Sequence, residues 1–159
     1  MTAWTTLTAA TALVVHDGRL LMVRQRRSYG VFWELPGGYH EPGESLEQTA
    51  AREVLEEAAV AVEVGPLVCT LVWQRERDRR RNLIAVFLAE PVETDPQPRP
   101  QEDEEIDAAA FVDAATQKGV HPLERPILGG WRRRDETPFH VHADVFVQPD
   151  GTQEYRFHP

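Results

Sequence analysis

Apolar positions recur in two closely spaced runs near the start of the chain, residues 8–16 and 19–25, with Asp17-Gly18 between them. Asp-Gly supplies the positive backbone angles of a tight hairpin turn, so the two runs are expected to pair as antiparallel strands. Residues 27–32, RSYGVF, read as a loop. The next six, WELPGG, read as a short strand fragment ending at Pro36. Residues 44–58 hold good helix formers with no internal Gly or Pro, which predicts a helix. Two further strand-like stretches, residues 62–76 and 82–90, flank an arginine-rich turn. A proline-rich polar loop then runs from Pro91 to Glu105. Residues 106–112 read as a strand, and residues 121–134 as a short helix broken at Gly129-Gly130. The chain closes on two alternating strands around Pro149-Asp150-Gly151. Strands, one early helix, more strands, then a helix and a hairpin predict an α+β fold, layered α/β/α around a mixed β-sheet. The segment after the prolines is too short for a stable second domain, so residues 1–159 are expected to form one.

The helix carries the candidate chemistry. At about 100° per residue, Ala50, Ala51, Val54, Leu55 and Ala58 fall on one broad arc expected to face the core. Glu53, Glu56 and Glu57 fall together on the neighbouring arc, with Arg52 on its flank. Like charges at i,i+4 repel, and partly buried carboxylates without compensation cost several kcal/mol, on the order of the penalty for unpaired buried charge. Either the three form a solvated face, or a hard divalent cation with oxygen ligands sits among them.

Bulk properties narrow the partners. The chain has 159 residues, 42% hydrophobic and 27% charged, with a net charge of −9 and a pI near 5.1. That acidity argues against a nucleic-acid polymer or an anionic membrane as partner, since both want a positive surface. It is compatible with a small nucleotide handled through a metal. Cys69 is the only cysteine, so neither an internal disulfide nor a cysteine-based metal site is available. Its apolar surroundings suggest an inert buried thiol. No stretch approaches the roughly 18 apolar residues of a membrane span. The N-terminal run lacks a basic region and alternates with threonine, so it reads as a strand rather than a leader, and a cytoplasmic location is expected.

Residues 37–60, GGYHEPGESLEQTAAREVLEEAAV, resemble the Nudix box, the loop-helix motif of the Nudix hydrolases. The pattern falls on Gly38, Glu44, Arg52, Glu53, Val54, Glu56, Glu57 and Val60, and Ala59 stands where the family has glycine. The family glycine follows the helix, where left-handed angles are often wanted, so Ala59 should cost on the order of 1 kcal/mol if that geometry is kept. The resemblance implies a Nudix-type α/β/α sandwich and a Mg²⁺-dependent pyrophosphohydrolase acting on a nucleotide or nucleoside diphosphate derivative, with Mn²⁺ as the other cation. It implies Glu53, Glu56 and Glu57 as metal ligands, with a backbone carbonyl of Gly37 or Gly38. Arg52 and Glu44 become groups that orient those carboxylates, while Glu41 and Glu47 are left to solvent. The general base is then Glu56, Glu57 or an acid of residues 102–105. Two other readings stand beside this one: a mutator-type enzyme that removes oxidised nucleoside triphosphates, and a non-catalytic nucleotide sensor.

Substrate identity is less legible. Relatives that cleave ADP-ribose often carry a proline about sixteen positions past the box, where this chain has Arg75-Glu76, and the tyrosine that marks diadenosine polyphosphate hydrolases is also missing there. Trp33 and Arg24 are substrate-binding candidates. Trp33 and Trp73 suit either base stacking or core packing. Residues 75–81, RERDRRR, suit either a solvated tip or a phosphate-gathering patch. His140, His142 and Asp144 share a strand face and read either as exposed surface or as a transition-metal set. The stretch from His121 onward matches no motif; it is assigned to capping the sheet, to a homodimer contact or to specificity.

Overall fold

The computed structural model describes residues 3–101 and 105–159. Its elements, in chain order, are β1 Thr5–His16, β2 Arg19–Arg27, β3 Gly30–Glu34, β4 Gly37–Tyr39, α1 Leu46–Ala58, β5 Val62–Arg75, β6 Arg80–Pro91, β7 Ile106–Val112, α2 Arg125–Arg133, β8 Phe139–Val147 and β9 Gln153–His158. The strands form one mixed, curled sheet in the order β3-β2-β1-β6-β5-β8-β9, with β4 added to β1 and β7 added to β2. The pairs β1/β6 and β5/β8 are parallel.

The Asp17-Gly18 turn is present, with both residues at positive φ. The arms it joins pair only at the tip, Val15 with Leu20 and His16 with Arg19. Beyond that they part. β1 pairs in parallel with β6 from Thr5↔Arg80 to Val14↔Ala89, while β2 runs between β3 and β7. The hydrophobic alternation explains why both strands are satisfied. Leu13, Leu20 and Met22 pack on one side of the sheet with Ile127 and Leu128 of α2. Ala12, Val14, Leu21 and Val23 pack on the other with Ala50, Val54 and Ala58 of α1. Strands sandwiched between two helices are thus apolar on both faces, and the layers are α/β/α. Cys69 is fully buried, and burial pushes its thiol up to about 12, which makes it a packing residue.

Three local expectations are corrected. Residues 30–32 are not loop but the start of β3, with Arg27 paired to Gly30, so Ser28-Tyr29 alone form the tip. α2 is not broken at Gly129-Gly130 but runs through both. A Cβ on Gly130 would sit 2.6 Å from the Phe139 ring, so the glycine lets the helix lie against β8. Leu55 is 53% exposed rather than in the core, for a reason set by the site.

Candidate active site

α1 begins at a capping box. Ser45 accepts from the Gln48 N–H, and the Gln48 side chain accepts from the Ser45 N–H. The helix ends with Ala59 at φ 56, ψ 32, in the left-handed region where the family pattern places glycine. Its fully buried residues are Thr49, Ala50, Val54 and Ala58. On a helical wheel of about 100° per residue, that arc is centred between Glu57 and Ala50. Glu53 and Glu57 therefore lie within the inward face, not at its rim, and Leu55 is rotated out to solvent. The helix gives up a leucine contact to point two carboxylates inward.

Arg52 holds the acids together. Its guanidinium reaches Glu44 at 2.9 Å, Glu53 at 2.8 Å and Glu56 at 3.2 Å, and donates to the Tyr39 carbonyl at 3.0 Å. Glu44 also accepts from the Thr49 hydroxyl at 2.7 Å and the Glu41 N–H at 2.9 Å. The bonds from Arg52 and Thr49 hold the Glu44 carboxyl down at about 2. Glu57 is paired with no arginine among the described residues. It accepts the Gly37 N–H at 3.0 Å. Burial, with the charges of Glu53 and Glu34, pushes it up to about 9. Burial also raises Glu53, against the pull of Arg52. The helix thus presents at Glu57 a buried carboxyl whose charged form is disfavoured by its surroundings.

β4 brings the two glycines against this helix. A Cβ on Gly38 would lie 2.4 Å from the Glu53 carboxyl carbon, and one on Gly37 would lie 2.7 Å from the Ala10 carbonyl of β1. Gly38 leaves room for a carboxylate, and Gly37 leaves room for strand pairing.

These groups open onto a cavity of about 690 Å³. Its walls include seven carboxylates: Glu53, Glu56 and Glu57 of α1, with Glu34, Glu41, Glu105 and Glu124. Glu34 is paired with Arg27 through two hydrogen bonds of 2.7 Å. Glu124 accepts the Leu35 N–H at 2.7 Å, and its carboxyl is raised well above the ordinary range by burial and by Glu34. Tyr29 and the buried His121 meet at 2.9 Å. The cavity lining also includes Arg75 and Arg80, whose guanidiniums lie 5.7 Å and 5.8 Å from the Trp73 ring. Arg80 also bonds to the Tyr39 hydroxyl.

The cavity brings together Gly37, Gly38, Glu53, Glu56 and Glu57, and Arg52 and Glu44 stand directly behind them. It does not bring in Arg24 or Trp33. Arg24 is engaged by Asp107 at 2.6 Å, and Trp33 packs against the core with Arg24 over its ring. Of the two tryptophans, Trp73 faces the cavity. Of residues 75–81, Arg75 and Arg80 face it too. Of the acidic loop, Glu105 lines the cavity, while Glu102, Asp103 and Glu104 lie outside the described residues. Sequence reasoning missed Glu34, His121 and Glu124. The last two arrive because residues 119–121 are stitched to β3: Trp33 N–H to the Gly119 carbonyl, and His121 N–H to the Trp33 carbonyl. That pairing spans almost ninety positions of sequence and leaves no local signal.

A profile of the NUDIX domain matches residues 5–128. The chain belongs to the NUDIX family. The matched span contains every cavity carboxylate and stops before β8 and β9. A MutT-like protein from Streptomyces ambofaciens is 45% identical over 86 residues, 54% of this chain and 51% of its own length. An oxidized purine nucleoside triphosphate hydrolase from Danio rerio is 33% identical over 95 residues, 56% of this chain and 60% of that one. The NUDIX chain thus spans little more than half the length of these curated relatives. Among solved structures, a NUDIX hydrolase from Nitrosomonas europaea superposes with a TM-score of 0.69 at 25% identity, over 82% of this chain and 90% of the other.

Proposed function

We propose that this chain is a Mg²⁺-dependent pyrophosphohydrolase that cleaves a diphosphate linkage in a nucleotide or nucleoside diphosphate derivative. The observation that carries this is the convergence of Glu53, Glu56 and Glu57 on one cavity wall beside Gly37 and Gly38. A phosphate anion would be repelled by such a wall unless a cation came with it. The donors are hard oxygens, which suits Mg²⁺, or Mn²⁺, over softer metals. Burial raises both Glu57, which accepts only a backbone N–H, and Glu53, in spite of its bond to Arg52, so a cation among them would offset the cost of ionising both. When bound, the cation supplies neutralisation of the phosphate oxygens and a lowered pKa for a coordinated water.

The protein side of the chemistry is positioning. Arg52, itself held by Glu44, fixes Glu53 and Glu56, and the Gly37 N–H fixes Glu57. A carboxylate of the pair Glu56 and Glu57, or Glu105 across the cavity, accepts the proton of the attacking water. Trp73 offers a ring for a nucleobase and Arg80 offers charge to an anionic leaving group, while Arg75 is held by Asp78 at 2.5 Å. Similarity to the oxidized purine nucleoside triphosphate hydrolase of Danio rerio favours oxidised purine nucleoside triphosphates as a second substrate class. The test is phosphate release after phosphatase coupling, over nucleoside triphosphates, oxidised triphosphates, dinucleotides and nucleotide sugars, with and without Mg²⁺. Mg²⁺-dependent turnover of at least one class supports the proposal. Nucleotide binding with no cleavage across the panel overturns it in favour of a sensor.

A further inference from the structure

At the far edge of the sheet, two imidazoles and a carboxylate converge. β8 and β9 pair with His142 directly opposite His158 and Asp144 opposite Arg156. Side chains alternate along a strand. Val141, Ala143 and Val145 of β8 pack inward, so His142 and Asp144 lie on the outer face, away from the cavity. The ligand atoms of His142, Asp144 and His158 all lie within 4.8 Å of one another. His158 Nε2 is 2.8 Å from Asp144 Oδ2, and the two imidazole rings are 4.5 Å apart at an inclination of 30°. Gln74 donates to Asp144 Oδ1 at 3.0 Å. That bond holds the carboxylate from behind and leaves Oδ2 directed at the histidines.

We propose that His142, Asp144 and His158 form a second cation site, for a transition metal of the Zn²⁺ class. Two imidazoles and one carboxylate suit Zn²⁺, Co²⁺, Ni²⁺ or Cu²⁺, whereas Mg²⁺ prefers oxygen alone. Three protein ligands and a water complete a tetrahedral zinc shell. Bonds of about 2.0–2.1 Å place neighbouring ligand atoms about 3.3 Å apart. The 2.8 Å contact need open by only about half an ångström, and the widest separation need close by at most about 1.5 Å, which small χ rotations of surface side chains supply. An Asp144–His158 ion pair alone accounts for two of the three groups and gives no reason for His142 to stand over the second imidazole. His140 shares the outer face of β8, but its Nδ1 meets the Thr70 hydroxyl at 2.5 Å, so the third ligand comes from β9.

The site lies beyond residues 5–128 that match the family, and it stands whether or not the α1 carboxylates bind Mg²⁺. β9 pairs only with β8 among the described strands. Its inner face contributes Gln153 to the cavity and Tyr155 to the core beside His121. A metal bridging His142 and His158 cross-links that last strand and stabilises the folded state by mass action.

The test is Zn²⁺ titration by calorimetry in excess Mg²⁺, with melting curves, on wild type, His142→Ala, His158→Ala and the control His140→Ala. Each substitution is at the surface, so folding is expected to survive. Wild type and His140→Ala should bind one equivalent more than the other two variants, or bind it at least about tenfold more tightly. The Zn²⁺-dependent rise in melting temperature should vanish in His142→Ala and His158→Ala. In long-range ¹H–¹⁵N spectra, Zn²⁺ should shift the imidazole nitrogens of His142 and His158 but not His140. Equal Zn²⁺ binding and equal melting shifts in wild type, His142→Ala and His158→Ala would overturn the proposal. So would a loss in His140→Ala as large as in His142→Ala.

Discussion

Two adjacent glycines carry different constraints, and the difference can be measured. A methyl on Gly38 would collide with the end of the Glu53 side chain, which can swing aside, whereas one on Gly37 would meet the backbone of Ala10 and Thr11, which cannot. Gly38→Ala is therefore expected to keep its melting temperature but weaken Mg²⁺-dependent turnover, because it displaces a carboxylate. Gly37→Ala should lower the melting temperature by disturbing the β1/β4 pairing. Melting curves and a Mg²⁺ titration of activity on both variants distinguish the two roles. Ala59 carries a third constraint. Its φ of 56° is costly for a residue with a Cβ, so Ala59→Gly should stabilise the protein by about 1 kcal/mol in denaturant unfolding. The motif alone foretold that cost, because the substitution falls where the helix must end.

At the scale of elements, α2 separates packing from propensity. A Cβ on Gly129 would meet only the tip of Arg133 at 3.1 Å, while one on Gly130 would meet the Phe139 ring at 2.6 Å. Gly129→Ala should stabilise the helix by up to about 1 kcal/mol, and Gly130→Ala should destabilise by forcing α2 off β8, as read by urea unfolding. The same helix marks where local reading ran out. The Asp17-Gly18 turn, the helix over α1, the acidic cluster and the two C-terminal strands were legible, because each depends on residues a few positions apart. The capping box of Ser45 and Gln48, which sets the helix start two residues after Glu44, is just as local, but the sequence reading began the helix at Glu44 without it. The strand at Gly30–Glu34 was also local, a hairpin with β2 across Ser28-Tyr29 that the loop reading passed over. The passage of α2 through Gly129-Gly130 and the outward turn of Leu55 depended on distant partners. So did the place of Arg24, which the sequence offered to substrate and the fold gave to Asp107 on β7.

Across the whole molecule, seven of the 26 acidic residues line the cavity, where they meet buried and titratable neighbours. His121 makes this interior sensitive to acid. The Leu123 N–H donates to its Nδ1 at 3.1 Å, which requires a lone pair there, and burial beside Arg27 and Arg125 pushes it down to about 4. The unfolded chain takes up a proton below an ordinary value near 6.5, and the folded chain does not. The stability His121 contributes is thus present above pH 6.5 and is lost as pH falls toward 4, by up to about 3 kcal/mol. The acid-side fall in melting temperature should flatten in His121→Asn. The buried acids tilt the curve the other way, since Glu124 ionises less readily folded than unfolded, and its contribution is lost as pH rises above the ordinary carboxylate range. In the proposed function, the carboxylates of α1 hold a cation for phosphate chemistry. The most direct measurement is the steady-state rate of Glu57→Gln with Mg²⁺ on the best substrate of the panel, alongside its melting curve. Glutamine mimics the neutral carboxyl that burial favours, so the melting temperature should be retained while turnover falls on the order of 100-fold or more. A folded Glu57→Gln protein with a near-normal rate would contradict the account.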